Sequence, residues 1–338
     1  MNDAGSERVV LVSLNWLGDV VMALPALQVW RSRNPHARLS VLTRPSLAGM
    51  WAMHEGVDEI LPFPAGARGL FTALRSMRGR FDRALILPNS FRSALAPALA
   101  GVPIRRGFAG QGRDFLLTEK VARNLPGGVT HQSHEMALLL CPDAAGGELP
   151  PPRLTVPEAE AAKFLPLLPD PRRPYYVLIP GAARGASKRW PAEFFASAGR
   201  HLAQYNAVSI LLLGTPDDAE VCEEVRASIG PDAVSLAGRT NMAGFAAALA
   251  GARGVVANDS GGMHLAAALG TPVAAIFGIT DPARTGPLGP RCAVLQRSDL
   301  RSRDIDRNSA AATEALRRIH PEEVVRALES LVTPPALG

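Results

Sequence analysis

Several short stretches of this chain combine residue types that can do chemistry on an activated, negatively charged substrate. The first is NWLGD at 15–19, which follows the apolar run 9–14 and opens a segment with helical spacing. Gly18 lets backbone approach a ligand closely, and a helix N-terminus favours an anion. Asp19 can take a proton from an incoming hydroxyl, or it can merely cap the helix. The second is PGAARGASKRWP at 180–191, where Gly181 and Gly185 permit a tight loop and Lys188 and Arg189 supply cations. It lacks the GK[ST] ending of a Walker A sequence, which argues against a P-loop NTPase. Lys188 can contact a phosphate or leaving group, or it can simply solvate.

The third, VVANDSGGMHLAAALG at 255–270, is the most informative. A strand pattern ends at Asn258-Asp259, a turn follows, and a helix of small residues starts at once. Amides of Ser260, Gly261 and Gly262 at that helix start make a seat for a pyrophosphate. Asp259 can accept from sugar hydroxyls or from those same amides. His264 can donate to a phosphate or serve as a structural hydrogen-bonding residue. Thr280, in the loop 277–282, is a further polar candidate on the same rim. In PNSFRSAL at 88–95, Asn89, Ser90 and Arg92 follow another strand pattern as an acceptor site or an ordinary capped helix start. HQSHE at 131–135 places two histidines one turn apart, but HExxH is not matched and no third ligand is evident. A helix start is expected there, and no metal.

Positioning these loops requires alternating strands and helices. Apolar runs at 9–14, 39–42, 60–63 and 84–87 predict short buried strands, with helices over 19–33 and 70–80. From 175 the rhythm restarts. Strands are predicted at 175–179, 209–213, 234–236, 254–257 and 272–277, with helices at 191–205, 217–229, 242–250, 262–269 and 321–331. Pro and Gly crowd the stretch between 141 and 174, which suits a linker. The fold class is therefore α/β, two parallel-sheet halves with a cleft between them, and ligands bind beyond the carboxyl ends of such strands.

Composition narrows the function. Hydrophobic residues are 47% and charged residues 20%, a globular balance, and no apolar run approaches the length of a membrane span. Residues 1–8 are polar, and the apolar run after them is too short for a secretory signal, so a cytoplasmic setting is expected. The cysteines at 141, 222 and 292 show no CxxC, which argues against a disulfide scaffold and structural zinc. Between 61 and 113, nine arginines, Arg106 among them, face one acid, Asp82, an excess above the whole-chain +5. That bias suits a phosphorylated substrate or an anionic lipid surface, or else a solvated face. Aromatic residues are 5% and do not interleave with the arginines, so nucleic acid is disfavoured. No GxGxxG is present, which removes the main support for a nicotinamide-dependent oxidoreductase.

NWLGDVVMALPAL, PGAARGASKRWP and NDSGGMHLAAALGTPVAAIFG followed by TDP, in this order and spacing, resemble the ADP-heptose:lipopolysaccharide heptosyltransferases. LPNSFRSALAPALAGVPIRRGFAGQGRDFLL resembles the type II members, which add the second heptose of the inner core. The resemblance runs from about residue 9 to 331. It implies a GT-B fold of two Rossmann-like domains, with residues 1–170 binding acceptor and 171–338 binding donor. It also implies metal-independent, inverting transfer from ADP-heptose to a Kdo2-lipid A based acceptor by a monomer at the cytoplasmic face of the inner membrane. Asp19 matches the general base in the family's GD pair, and Lys188 matches the lysine of K-x-W-P on the donor phosphate side. Asp259 matches the aspartate that holds the heptose, while Ser260, Gly261, Gly262 and His264 match the diphosphate turn. Gly18, Asn89, Ser90, Arg92 and Arg106 fall to the acceptor side. Two departures stand out: Ala183 and Arg184 replace the threonine pair of first-heptose members, and 297–318 does not follow the type II pattern. A related transferase using another nucleotide-activated sugar, or a non-catalytic nucleotide-sugar or phosphoglycan binder, remains open on the residues alone.

Overall fold

The computed structural model describes residues 6–168, 170–182, 188–206, 208–301, 306 and 309–332. The substituted threonine-pair positions 183 and 184, Gly185, and parts of 297–318 lie outside them. The chain forms two compact units, Met1–Thr155 and Val156–Gly338. This division falls earlier than residue 170. Helix Glu158–Phe164, inside the stretch expected to be linker, packs on helix Met242–Ala250 of the second unit. Phe164 also lies against Tyr175, with ring centroids 6.4 Å apart.

Among its described residues the first unit carries a six-stranded sheet of β1 Arg8–Val12, β2 Arg38–Thr43, β3 Glu59–Pro62, β4 Arg83–Ile86, β5 Ile104–Phe108 and β6 Glu119–Val121. The spatial order is β3-β2-β1-β4-β5-β6, and every pairing is parallel. The second unit repeats the plan with β7 Tyr175–Ile179, β8 Ser209–Leu212, β9 Ala233–Ser235, β10 Gly254–Asn258, β11 Val273–Phe277 and β12 Cys292–Gln296. Its order, β12-β11-β10-β7-β8-β9, is the same doubly wound topology. Parallel strands covered on both faces must be apolar throughout, and β7, β10 and β11 are buried at every position. Val10, Val12, Ile86 and Met77 share one core, while Tyr176, Leu178, Phe195, Val256 and Ile276 share the other. Among the described residues no helix is long and apolar enough to cross a membrane.

Strands β5, β6 and β12 are absent from the sequence reading. In β5, Arg105 and Arg106 interrupt the apolar pattern, and β6 has only three residues. Both β6 and β12 lie at sheet edges, where burial on two faces is not required.

Five of the nine arginines between 61 and 113 are engaged within the unit. Asp82 pairs with Arg8 at 2.8 Å. Arg80 pairs with Glu59 at 2.8 Å, Arg83 with Glu7 at 2.8 Å and Glu119 at 3.0 Å, and Arg106 with Glu119 at 3.2 Å. Arg105 binds the carbonyl of Leu116, and Arg113 is fully buried. The neutralising acids come from outside the window, because parallel pairing lays Glu7, Glu59 and Glu119 beside it. Burial opposes ionisation of Glu119, but hydrogen bonds from Arg106 and Arg83 and their charges outweigh it and hold the carboxyl below its ordinary range. Arg68, Arg75, Arg78 and Arg92 remain exposed.

Candidate active site

Strand order reverses between β1 and β4 in the first unit and between β7 and β10 in the second, and crevices open beyond the carboxyl ends at such points. The four chemistry-bearing loops occupy these positions. NWLGD follows β1, PNS follows β4, PGAARGASKRWP follows β7 and NDSGG follows β10.

In the first unit, Trp16 is the cap residue of helix Leu17–Arg33, and Gly18 and Asp19 lie in its first turn. Asp19 is therefore inside the helix and not at its cap. It is half-buried, and Gln132 Nε2 approaches Asp19 Oδ1 at 3.5 Å. After β4, Asn89 Oδ1 is buried without a hydrogen-bond partner. Ser90 caps helix Phe91–Leu99 by accepting from the Ser93 amide at 3.3 Å, and Arg92 is exposed. Arg113 holds this loop from behind, donating to the Ser90 carbonyl at 3.2 Å, Ser93 Oγ at 3.1 Å and the Phe108 carbonyl at 2.8 Å.

Arg106 does not join this group. Its guanidinium donates to the Leu139 carbonyl at 2.6 Å and pairs with Glu119, alongside Glu7 and Arg83 at the amino ends of β1 and β4. A strand residue's position along the sheet, and not its neighbours in sequence, decides which end it serves.

In the second unit the described residues of these loops are tied together. Lys188 and Asp259 form an ion pair with side chains only 15% and 7% exposed. Sequence reasoning gave them separate partners, a phosphate and a sugar, whereas here each holds the other. Asn258, fully buried, accepts from the Trp190 amide at 3.0 Å and donates to the Pro180 carbonyl at 2.8 Å, tying the β7 loop to the β10 loop. Trp190 Nε1 donates to the Ile319 carbonyl at 2.9 Å, so this tryptophan packs. Ser260 occupies the cap position of helix Gly261–Ala268 but makes no side-chain cap bond, and its Oγ is buried without a partner. A buried hydroxyl left unpaired at a helix start carries a desolvation cost that a bound oxygen or phosphate would remove.

Gly262 packs closely, since a Cβ there would stand 2.6 Å from Ile179 Cδ1 and displace the end of that side chain. Its helix start thus lies against the Ile179 side chain at the end of β7. Gly181 is more tightly constrained, by the buried Asp218 carboxyl that the Thr215 amide and hydroxyl hold in place. Gly261 lies in the first turn, and His264 is buried on the same helix. Thr280 follows β11, and Gln296 Nε2 holds its loop through the carbonyls of Gly278 at 2.7 Å and Thr280 at 2.8 Å.

Sequence reasoning missed Asn258, Asp218, Arg113 and Thr240, whose Oγ1 is also buried and unpartnered. Only the Asn-Asp doublet at a strand end offered a signal. Elsewhere, His131 caps helix Gln132–Leu140 through the Ser133 amide, and His134 Nδ1 meets the Ala145 carbonyl at 2.9 Å. Burial pushes the thiols of Cys141, Cys222 and Cys292 up to about 11, 12 and 11, so none supplies a thiolate at neutral pH.

Residues 70–312 match the family model described as glycosyltransferase family 9 (heptosyltransferase). Lipopolysaccharide heptosyltransferase 2 of Escherichia coli strain K12 is 31% identical over 312 residues, 86% of this chain and 88% of that protein. The Salmonella typhimurium protein of that name is 30% identical over 353 residues, 96% of this chain and 99% of the other. The solved E. coli ADP-heptose lps heptosyltransferase II superposes with TM-score 0.83 at 28% identity, over 96% of this chain and 98% of that one. The class is thus a glycosyltransferase of GT-B fold, built from two Rossmann-like sheets. The chain belongs to glycosyltransferase family 9, the heptosyltransferases.

Proposed function

We propose that the chain transfers L-glycero-D-manno-heptose from ADP-heptose to the lipopolysaccharide inner core, adding the second heptose to heptosyl-Kdo2-lipid A. The observation that carries the reading is the donor seat: a buried, unpartnered Ser260 hydroxyl at a glycine turn, beside the Lys188–Asp259 pair. The choice of second heptose follows the relatives, because heptosyltransferase 2 of E. coli is 31% identical and heptosyltransferase 1 of the same strain 26%.

In this mechanism the Asp19 carboxylate removes the proton of the acceptor hydroxyl. The freed oxygen attacks the anomeric carbon, and the bond from that carbon to the phosphate oxygen breaks with inversion. ADP departs carrying the electron pair. Amides of Gly261 and Gly262, the Ser260 hydroxyl and Lys188 stabilise its developing charge, so no metal is required. Asp259 orients the sugar hydroxyls while it positions Lys188, and Thr280 and His264 complete the donor side. Gly18, Asn89, Ser90 and Arg92 contact the acceptor. That acceptor is a lipid, which puts the enzyme peripherally at the inner face of the inner membrane, and we take it to act as a monomer. Exposed Phe71, Leu99 and Phe115 with Arg68, Arg75 and Arg78 suit an anionic lipid surface.

Calorimetric titration with ADP and ADP-heptose, with and without EDTA and against UDP and NAD, tests the donor. ADP binding strengthened by the heptose and indifferent to EDTA is expected. Preference for UDP would move the reading to another sugar, and silence from every nucleotide would leave a binding protein.

A further inference from the structure

We infer that the first unit holds a dedicated anion subsite, centred on Arg44 with Trp16 at its mouth, that grips an acidic group of the acceptor beside the Asp19 base. The inference rests on the proposed transferase reading and names the chemistry its acceptor must offer. A cavity of about 710 Å³ lies at the carboxyl ends of three adjacent strands and is lined by Asn15, Trp16, Arg44, Ser46, Pro64 and Ala65. Asn15 and Trp16 come from the loop after β1, Arg44 directly follows β2, and Pro64 and Ala65 follow β3. This is the sheet end that carries Asp19, within one helical turn of Trp16.

Arg44 is the anchor because its environment orients it without neutralising it. Its Nε donates to Asn15 Oδ1 at 3.1 Å, and its guanidinium carbon stands 5.7 Å from the Phe63 ring centroid. Among the described residues no carboxylate pairs with it, whereas Arg80, Arg83 and Arg106 of the same unit are all paired with acids. The Nε contact leaves the guanidinium's two terminal nitrogens for a planar, bidentate partner, which a carboxylate or a phosphate supplies. Trp16 is 53% exposed at the mouth, a large aromatic surface of the kind that packs on the apolar face of a sugar ring. A phosphate and a sugar-acid carboxylate share the required chemistry.

The test is steady-state transfer by the full chain from ADP-heptose, with the inner-core acceptor varied. Arg44→Ala is expected to raise acceptor KM about tenfold or more, the effect of losing one charge-assisted pair, with donor KM unchanged. Arg44→Lys recovers part of this, because a point charge lacks the fork. Trp16→Ala raises acceptor KM by a smaller factor, and Trp16→Phe restores it. In an acceptor stripped of phosphate, or in one whose sugar carboxylate is reduced to an alcohol, the Arg44→Ala penalty vanishes only where the gripped group is missing, which identifies the source. An acceptor KM for Arg44→Ala within twofold of wild type, or a penalty unchanged in both altered acceptors, overturns the subsite. Binding of the delipidated, phosphorylated core oligosaccharide, read by calorimetry without turnover, separates the two ideas. Wild type that binds it, with Arg44→Ala binding more weakly, upholds the subsite even if no heptose is transferred. Equal binding by both proteins, or none by wild type, overturns it.

Discussion

The two units wind their sheets in one order, yet the described residues of their switch-point loops are held in opposite ways. In the second, buried side chains lock the turn: Asn258 ties two loops together, Lys188 and Asp259 hold each other, and Gly262 packs against Ile179. In the first, the loop after β1 presents an exposed Trp16 and a half-buried Asp19, with an open cavity beside them. The difference suits the two substrates proposed. A pyrophosphate is small and highly charged, and it rewards donors fixed before it arrives. A lipid-borne core oligosaccharide is large, and an open rim lined by a few polar and aromatic groups can admit it.

Substitutions can break this contrast, the largest effect first. Asp19→Asn should lower kcat by about a hundredfold or more, the usual size of a general-base contribution, while ADP affinity and Tm stay near wild type. Stopped transfer assays and a thermal melt would show it, and a mutant keeping a tenth of wild-type turnover would remove Asp19 from the base role. Asp259→Asn should do the reverse in kind, lowering stability by about 3 kcal/mol because a buried lysine loses its partner, and weakening ADP-heptose as well. Denaturant unfolding measures the first and calorimetry the second. Were Asp19→Asn to destabilise as much as Asp259→Asn, the distinction between an open and a locked seat would fall.

The smallest effect is on acid stability. The Glu119 carboxyl is held below its ordinary range when folded, after burial's opposing effect, by Arg106 and Arg83. Its unfolded form therefore binds a proton more readily, so the contribution is complete above the unfolded carboxylate range. It is lost as pH falls through the lower folded value. Glu119→Gln should flatten the acid limb of a Tm-against-pH curve and cost about 0.5 kcal/mol at neutral pH, as expected for half-exposed pairs. An acid limb identical to wild type would show that these pairs do not hold the first unit together.

How much was legible depended on distance along the chain. Buried parallel strands must be continuous apolar runs, so β1, β2, β7, β10 and β11 were visible, and the loops that follow them carried the glycines and acids that mark a ligand seat. Helix Glu158–Phe164 was hidden inside a proline-rich stretch, and its packing on Met242–Ala250 moved the boundary between units to Thr155. Arg106 and Arg113 sit in the arginine-rich window, but one pairs with Glu119 and the other is buried beneath Ser90. Neither fact is written in their immediate neighbours.

The α/β class of two parallel-sheet halves, the order of the chemistry-bearing loops and the residue types each offers are readable along the chain, because strand burial and turn geometry are local constraints. Which charges remain available follows from how the chain folds. Sheet pairing brings acids from remote positions to Arg80, Arg83 and Arg106, turns Lys188 toward Asp259, and leaves Arg44 oriented by Asn15 and Phe63 with no acid paired to it among the described residues. Electrostatic neutralisation acts through space over a few ångströms, and that proximity is set by the fold.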